Sequence, residues 1–456
     1  MTTLTQQASD QQPEALSAPQ VLWNSGDEGD EAGFFSHRFT MAGSWRITGP
    51  LDTAGLQWAL DRLVVRHTIL RTVVKRDKDS PTQEVVPARP VPLLVDHLAV
   101  AAGPDRDAAA ERLRNEAETG SLDPRTVPLL RARLVRFDAE DAVLSLVTHH
   151  TAGDEWSMQV LLRDLAELIH AHAEDRPAAL PEAVQYTDFT HDEHARENAP
   201  RTEEDRAYWR TRLAGARVFA VPTDREVPHV HSAPYSAHNF LLDAATVTAA
   251  RELAAQADTP VSTVYLAAFN LLAHRIDGTT DPVIDTLTTV RPDPRHQGIV
   301  GPLMDFLALR TGLAGCDTFR DVLAATARTC REGHANAVPI QHVEDMLPEL
   351  MSPNDEPRKT NLIFGAFAPP FEPDATRIAD GTEEVPKPAG LTPEGAWIPH
   401  GVAWTVHALA TGELGGHIQF NTEELDPETV AGWARTYAAL LEAAVREPDR
   451  AWNSIG

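Results

Sequence analysis

The sequence predicts a two-layer α/β protein built as two lobes, and three observations predict it. At 456 residues the chain exceeds what one ordinary core organises. Strand patterns and helix patterns are mixed in both halves, as in α/β designs. No short-period repeat marks a solenoid. The 34 prolines point to long connections between elements.

The elements follow in order. Residues 1–15 read as a disordered start, 16–190 as an N-terminal lobe and 191–456 as a C-terminal lobe. Glycines and acids make 24–33 a loop. Residues 51–67 form an amphipathic helix, with Leu56, Leu60, Leu63, Val64 and His67 on one face, which makes His67 a core histidine. Strands are expected at 69–74 and 84–87, and a helix at 105–118. Residues 129–137 and 142–149 are apolar and β-rich on either side of an acidic turn, so they form a hairpin. A helix over 156–171 presents Val160, Leu161, Leu165, Leu168 and Ile169. The Pro-bounded stretch 181–200 reads as the connection between lobes. Helices then fall at 203–213, 246–257, 261–276, 318–335 and 427–445, with Gly278 closing the third of these five. Strands fall at 237–242, 282–289, 306–311, 360–367, 403–410 and 416–420. Residues 369–399 read as one long loop.

Composition narrows the function. Acidic residues outnumber basic ones by 67 to 40, a net charge of −27. A nucleic-acid binder needs a basic stripe, and an anionic membrane attracts basic segments, so both classes are excluded as partners. Cys316 and Cys330 are the only cysteines, which leaves neither a disulfide framework nor a Cys-rich metal site. The polar N-terminus lacks the basic start and apolar run of a signal peptide, and no stretch approaches a membrane span. These features read as a cytoplasmic protein, with 1 and 456 as the ends of a complete discrete chain, expected as a monomer.

The informative stretch is Thr148-His149-His150-Thr151-Ala152-Gly153-Asp154-Glu155-Trp156-Ser157, where a buried strand gives way to a helix. Successive strand side chains point to opposite faces, so His149 and His150 do not share a cavity: one packs and the other reaches a substrate. A neutral imidazole is the natural proton acceptor near pH 7. Asp154 reads as an N-cap, as the partner of an arginine, or as the residue that fixes the histidine loop. A metal site fits poorly, since the two histidines diverge and no third ligand follows at a suggestive spacing. A GxSxG nucleophile elbow is absent.

This stretch resembles the HHxxxDG motif of the condensation domains of nonribosomal peptide synthesis. Further segments resemble the same family in order. Residues 16–23, Leu-Ser-Ala-Pro-Gln-Val-Leu-Trp, are similar to its SxAQxxxW opening, and residues 66–72 to RHExLRT. Tyr186-Thr187-Asp188-Phe189 is similar to YxDF. Residues 300–310 are a degraded IGxFVNTLALR, and residues 415–425 are similar to its late strand. The resemblance spans about residues 16–450.

The resemblance implies two chloramphenicol-acetyltransferase-like lobes forming a V-shaped pseudo-dimer with a central tunnel. One mouth takes an acyl thioester on the phosphopantetheine arm of an acyl or peptidyl carrier protein; the other takes a small amine or hydroxyl acceptor. No bound cofactor or metal is implied. By the same resemblance His150 is the catalytic base, His149 packs, and Asp154 is structural with Arg291 as its partner. Glu155 replaces the last motif glycine. It reads either as a solvent-facing first helix residue or as a side chain that narrows the acceptor channel or attracts a cationic acceptor; Trp156 and Ser157 are candidates for the same channel. Gly301, Asp305 and Phe306 are donor-side candidates, the last two standing where the family has Asn-Thr. Trp397, Trp404 and His407 are candidates for the second lobe's lining, with core packing the alternative for Trp404. The expected activity is condensation of a carrier-bound acyl group with an amine or hydroxyl in natural-product biosynthesis. The alternatives are an acyl-CoA-dependent acyltransferase of the same superfamily and a degenerate recruitment module.

Overall fold

The computed structural model describes residues 13–27, 29–31, 33–77, 80–228, 235–291, 293–379, 381–393, 401–409 and 411–455. Within them the chain forms two main sheets, each carrying helices. The first has the strand order Gly381–Glu384, Thr40–Thr48, Asp141–His149, Leu130–Arg136, Leu93–His97. Asp141–His149 is central and buried along its whole length. Both its faces are apolar because both are covered. Ala142, Leu144 and Leu146 pack under helices Thr53–Arg66 and Glu155–Ala173, while Val143 meets Ala109, Ala110 and Leu113 of helix Pro104–Glu118.

The second sheet runs Met304–Arg310, Val283–Thr289, Lys359–Phe367, Val402–Ala408, Leu414–Asn421, Tyr235–Leu242, Gly390–Pro393, with Ala220–Pro222 beside Lys359–Phe367. Helices Ala244–Gln256, Val261–Asp277, Phe319–Ala335 and Pro427–Arg446 belong to the core on one of its faces. Helix Val261–Asp277 is buried continuously over residues 263–273, so nearly all of its middle is apolar on every side. Gly278 ends it in the left-handed conformation, at φ 79°. No described helix is long and apolar enough to cross a membrane.

Four expectations need correction. Residues 13–15 are not a disordered start: Glu14–Ala15 pairs with Thr82–Val85. Strand Thr40–Thr48, unforeseen, is the neighbour of the central strand. Its Gly43 and Ser44 mask the β pattern. A Cβ on Gly43 would lie 2.4 Å from the ring of Trp45, and Ser44 shares a 2.8 Å hydrogen bond with Ser145 of the next strand. The stretch 181–200, read only as a connection with no element of its own, contains helix Tyr186–Glu197. Finally, 369–399 is not all loop. Gly381–Glu384 joins the first sheet beside Thr40–Thr48, and Gly390–Pro393 joins the second beside Tyr235–Leu242. This strap ties the two sheets together.

Candidate functional site

The histidine loop is set by local hydrogen bonds. Strand Asp141–His149 ends in a 3-10 turn over His150–Ala152, and helix Glu155–Ala173 starts after Gly153 and Asp154. His149 is fully buried. Its Nδ1 accepts from the Thr151 amide at 3.2 Å and the Thr151 hydroxyl at 2.9 Å, which leaves Nε2 to donate to the Ser36 carbonyl at 2.9 Å. Burial pulls its pKa down to about 4, so the ring is neutral and structural.

His150 points elsewhere and is only half-buried. Its ring stacks on Phe39 at 4.5 Å and 11°, and meets Trp23 edge-on at 5.7 Å. Its amide donates to the Phe39 carbonyl at 2.9 Å. These contacts fix both ring and backbone. Among the described residues Nδ1 is buried without a partner of hydrogen-bond geometry, although its own carbonyl and that of Gly153 lie near enough to favour protonation slightly. Burial holds the ring below the usual histidine range, hence neutral at pH 7.

Asp154 and Arg291 come together as a bidentate pair at 2.6 and 2.9 Å. Asp154 also caps its helix, accepting from the Ser157 amide at 2.8 Å, and takes the Leu303 amide at 3.1 Å. Burial works against its ionisation, but Arg291 prevails and holds its pKa low. Thus the loop after the histidines is bolted to the segment before strand Met304–Arg310.

Ser157 and Gly301, an acceptor-channel and a donor-side candidate, belong to this bolt. The Ser157 hydroxyl is buried, donating to Asp154 at 2.6 Å and taking the Gly301 amide at 3.0 Å. A Cβ on Gly301 would lie 2.2 Å from the Tyr186 ring, so glycine permits that close approach. Trp156 is half-buried, donates to the Gln297 carbonyl at 2.8 Å and lies under the Arg291 guanidinium at 5.4 Å. It braces the same junction.

Glu155 differs from all of these. It is the first residue of its helix and is exposed. Desolvation by neighbouring protein raises its pKa to about 7, helped by Glu384 and opposed by Lys387 and Arg114. Those three belong to the strap and to helix Pro104–Glu118. Arg114 holds Glu384 at 3.0 Å and Glu118 at 3.1 Å, and Lys387 reaches Glu118 at 3.2 Å and His417 at 3.3 Å.

On the remaining side, Asp305 accepts from the Phe306 amide at 2.8 Å and the Ile340 amide at 3.3 Å. Enclosure pushes it up to about 8, and nearby Glu193 and Asp285, each driven to about 7 mainly by burial, add repulsion. Phe306 is half-buried against the second core. Trp404 lies in that core and is fully buried. His407 sits on the opposite sheet face, half-buried, its pKa drawn down to about 3 by burial and then by Lys387. Trp397 lies outside the described residues.

The reading from sequence passed over Phe39, which carries the closest ring contact to His150, and it gave Trp23 no role although Trp23 closes the opening motif. It also passed over Arg114 and Glu118, on a helix it did place, and over Glu384 and Lys387, because the strap carries no strand periodicity to reveal it.

The sequence profile of the condensation domain matches residues 31–456. Phosphinothricin tripeptide synthetase PhsC of Streptomyces viridochromogenes is 30% identical over 413 residues, covering 90% of this chain and 37% of that protein. Chondramide synthase cmdD of Chondromyces crocatus is 31% identical over 325 residues, covering 71% of this chain and 8% of that protein. The chain therefore spans well under two thirds of these relatives. The crystal structure of SgcC5 from Streptomyces globisporus, in complex with (R)-(-)-1-(2-naphthyl)-1,2-ethanediol and sucrose, is 33% identical with a TM-score of 0.87, covering 96% of this chain and 100% of that one. The X-domain of teicoplanin biosynthesis, 23% identical, shares the fold at a TM-score of 0.76, covering 100% of this chain and 99% of its own.

Proposed function

Because the chain belongs to the condensation-domain family, we propose that it transfers an acyl group from a carrier-protein thioester to a small acceptor, forming an ester or amide in natural-product biosynthesis. The observation that carries this reading is the His150 imidazole: neutral at pH 7 and clamped by Phe39 and Trp23, on a loop that the Asp154–Arg291 pair holds in place. The vicinal diol bound by SgcC5 favours a hydroxyl acceptor.

In this reading Nε2 accepts the proton of the attacking hydroxyl or amine as that group adds to the thioester carbonyl carbon. The tetrahedral adduct then collapses, the C–S bond breaks, and the imidazolium returns its proton to the departing thiolate. General base help of this kind contributes roughly 10²–10⁴-fold, and alignment of two bound reactants supplies further barrier reduction. Asp154 favours the protonated ring through space, but burial outweighs it, so His150 stays ready to accept a proton at pH 7.

The test is product mass spectrometry with acyl-loaded carrier protein, acyl-CoA and a 1,2-diol acceptor. Loaded carrier is expected to be the better donor; preference for acyl-CoA would move the protein to the CoA-dependent class. His150→Ala should lower kcat/KM by about a hundredfold or more. Full activity of a folded His150→Ala protein removes the proposal, and absence of product from wild type with every donor favours recruitment over catalysis.

A further inference from the structure

A base that takes a proton becomes a cation, and the cation needs support. In a Ser-His-Asp triad a buried carboxylate at Nδ1 supplies it. His150 has no such carboxylate among the described residues: its Nδ1 is buried without a hydrogen-bond partner. Asp154, the acid that acts on it through space, is engaged by Arg291 at both oxygens. What lies directly against the ring is Phe39, parallel to it at 4.5 Å and 11°.

The surroundings hold Phe39 in that place. It is 6% exposed, so water has little access to the stack. Its amide donates to the Ser36 carbonyl at 2.9 Å, its carbonyl takes the His150 amide at 2.9 Å, and the next residue, Thr40, pairs with His149 in the sheet. Its ring meets Trp23 at 5.7 Å and 83° and Phe34 at 5.5 Å and 84°. Turning the ring away from His150 would break both contacts. An aromatic face is electron-rich and attracts a cation within about 6 Å of its centroid, more strongly where water is excluded.

We infer that Phe39 is a positioning residue for acyl transfer, its aromatic face steadying the imidazolium that His150 becomes, in the role a carboxylate fills in a triad. This role rests on the acyl-transfer reading and adds to it the source of charge stabilisation. Phe39 acts through His150 and forms no bond in the step: the proton passes from the acceptor to the imidazole and on to the departing thiolate.

The pH dependence follows from the groups that bear on His150. Asp154 favours the imidazolium from the helix N-cap, and His149, on the preceding strand, shares with His150 a mutual repulsion when charged. Trp23 and Phe39, from the other elements in ring contact, carry no charge. The Phe39 face favours the charged ring, so weakening that face should lower the pKa of His150 and move the acid limb of the kcat/KM profile to lower pH.

The experiment places mono-, di-, tri- and pentafluorinated phenylalanine at residue 39 alone, with the loaded carrier and diol acceptor as substrates. Fluorine withdraws electrons from the face with little change of shape. The kcat is expected to fall stepwise with fluorine number, reaching about fivefold or more in the pentafluoro protein, with KM nearly unchanged and the acid limb moving down in step. Phe39→Tyr, which keeps an electron-rich face, should retain most of the activity that Phe39→Leu loses. A kcat indifferent to fluorination overturns the inference and leaves the acyl-transfer reading standing. So does a loss of kcat that tracks a lowered melting temperature while the acid limb stays in place, since packing alone would then account for it. Failure of wild type to couple the diol or an amine acceptor removes the acyl-transfer reading, and this role with it.

Discussion

Asp154 is held by more hydrogen bonds than any other described carboxylate near His150: both Arg291 terminal nitrogens, the Ser157 amide and hydroxyl, and the Leu303 amide. With so many donors satisfied by one side chain, removing either partner strands a buried charge. Arg291→Ala should cost on the order of 3–5 kcal/mol, seen as a large drop in melting temperature together with loss of product. Asp154→Asn, which keeps the cap but loses the charge, should cost less. Gly301 makes a separate demand. Alanine there needs the Tyr186 ring to move, and that ring is fixed by its hydroxyl, 2.6 Å from the Ser17 Oγ and 3.3 Å from the Pro302 carbonyl. Gly301→Ala is expected to cost about 1–3 kcal/mol by overpacking, measurable by denaturant titration.

Among the elements, the strap has the most to do for its length. Its first strand completes one sheet and its last completes the other, so separation of the lobes requires it to detach from one. Between those strands it relies on Lys387 bridging Glu118 and His417, and on Arg114 donating to the Val385 carbonyl. The Lys387 ion pair is partly screened, worth about 1 kcal/mol. Lys387→Ala should leave the global melting temperature little changed while limited proteolysis within 385–389 becomes several-fold faster; equal cleavage rates in the two proteins would show that the backbone ladders alone hold the strap. Legibility from sequence followed the same physics. The helix over 51–67 and the hairpin over 129–149 came out of residue pattern, because each buries a face whose period is visible along the chain. Strand Thr40–Thr48 did not, because its place beside Asp141–His149 is secured by a serine pair and a glycine that yields to Trp45.

At the scale of the whole molecule, buried titratable groups set opposing pH limits. His149 is held to about 4 and His407 to about 3, both below the ordinary value near 6.5. Their unfolded forms bind protons first, so the stability they contribute is present above pH 6.5 and is lost as pH falls toward 4 and 3. Asp305 is pushed to about 8, and Glu193 and Asp285 to about 7, above the ordinary range near 4. For these the folded state keeps the proton that the unfolded chain releases, so their contribution is present below pH 4 and is lost as pH rises through 7 and 8. Above about pH 7 the unfolded histidines are mostly deprotonated and contribute little change, so between pH 7 and 8 the carboxyls should make the melting temperature fall. Asp305→Asn should flatten that decline, and a slope identical to wild type would sink the assignment.

By itself the sequence determined that this is an acidic two-lobed α/β chain with an HHxxxDG-like loop at a strand end, because hydrophobic period and short motifs are properties of neighbouring residues. That Asp154 and Arg291 belong together came from resemblance, and the coordinates supplied their geometry, 137 positions apart along the chain. Only the tertiary structure decided that Phe39 and Trp23 clamp His150 and that residues 381–393 stitch two sheets. These depend on distance in space between segments remote in sequence, and on which charges cancel once those segments meet, and neither quantity is written in local pattern.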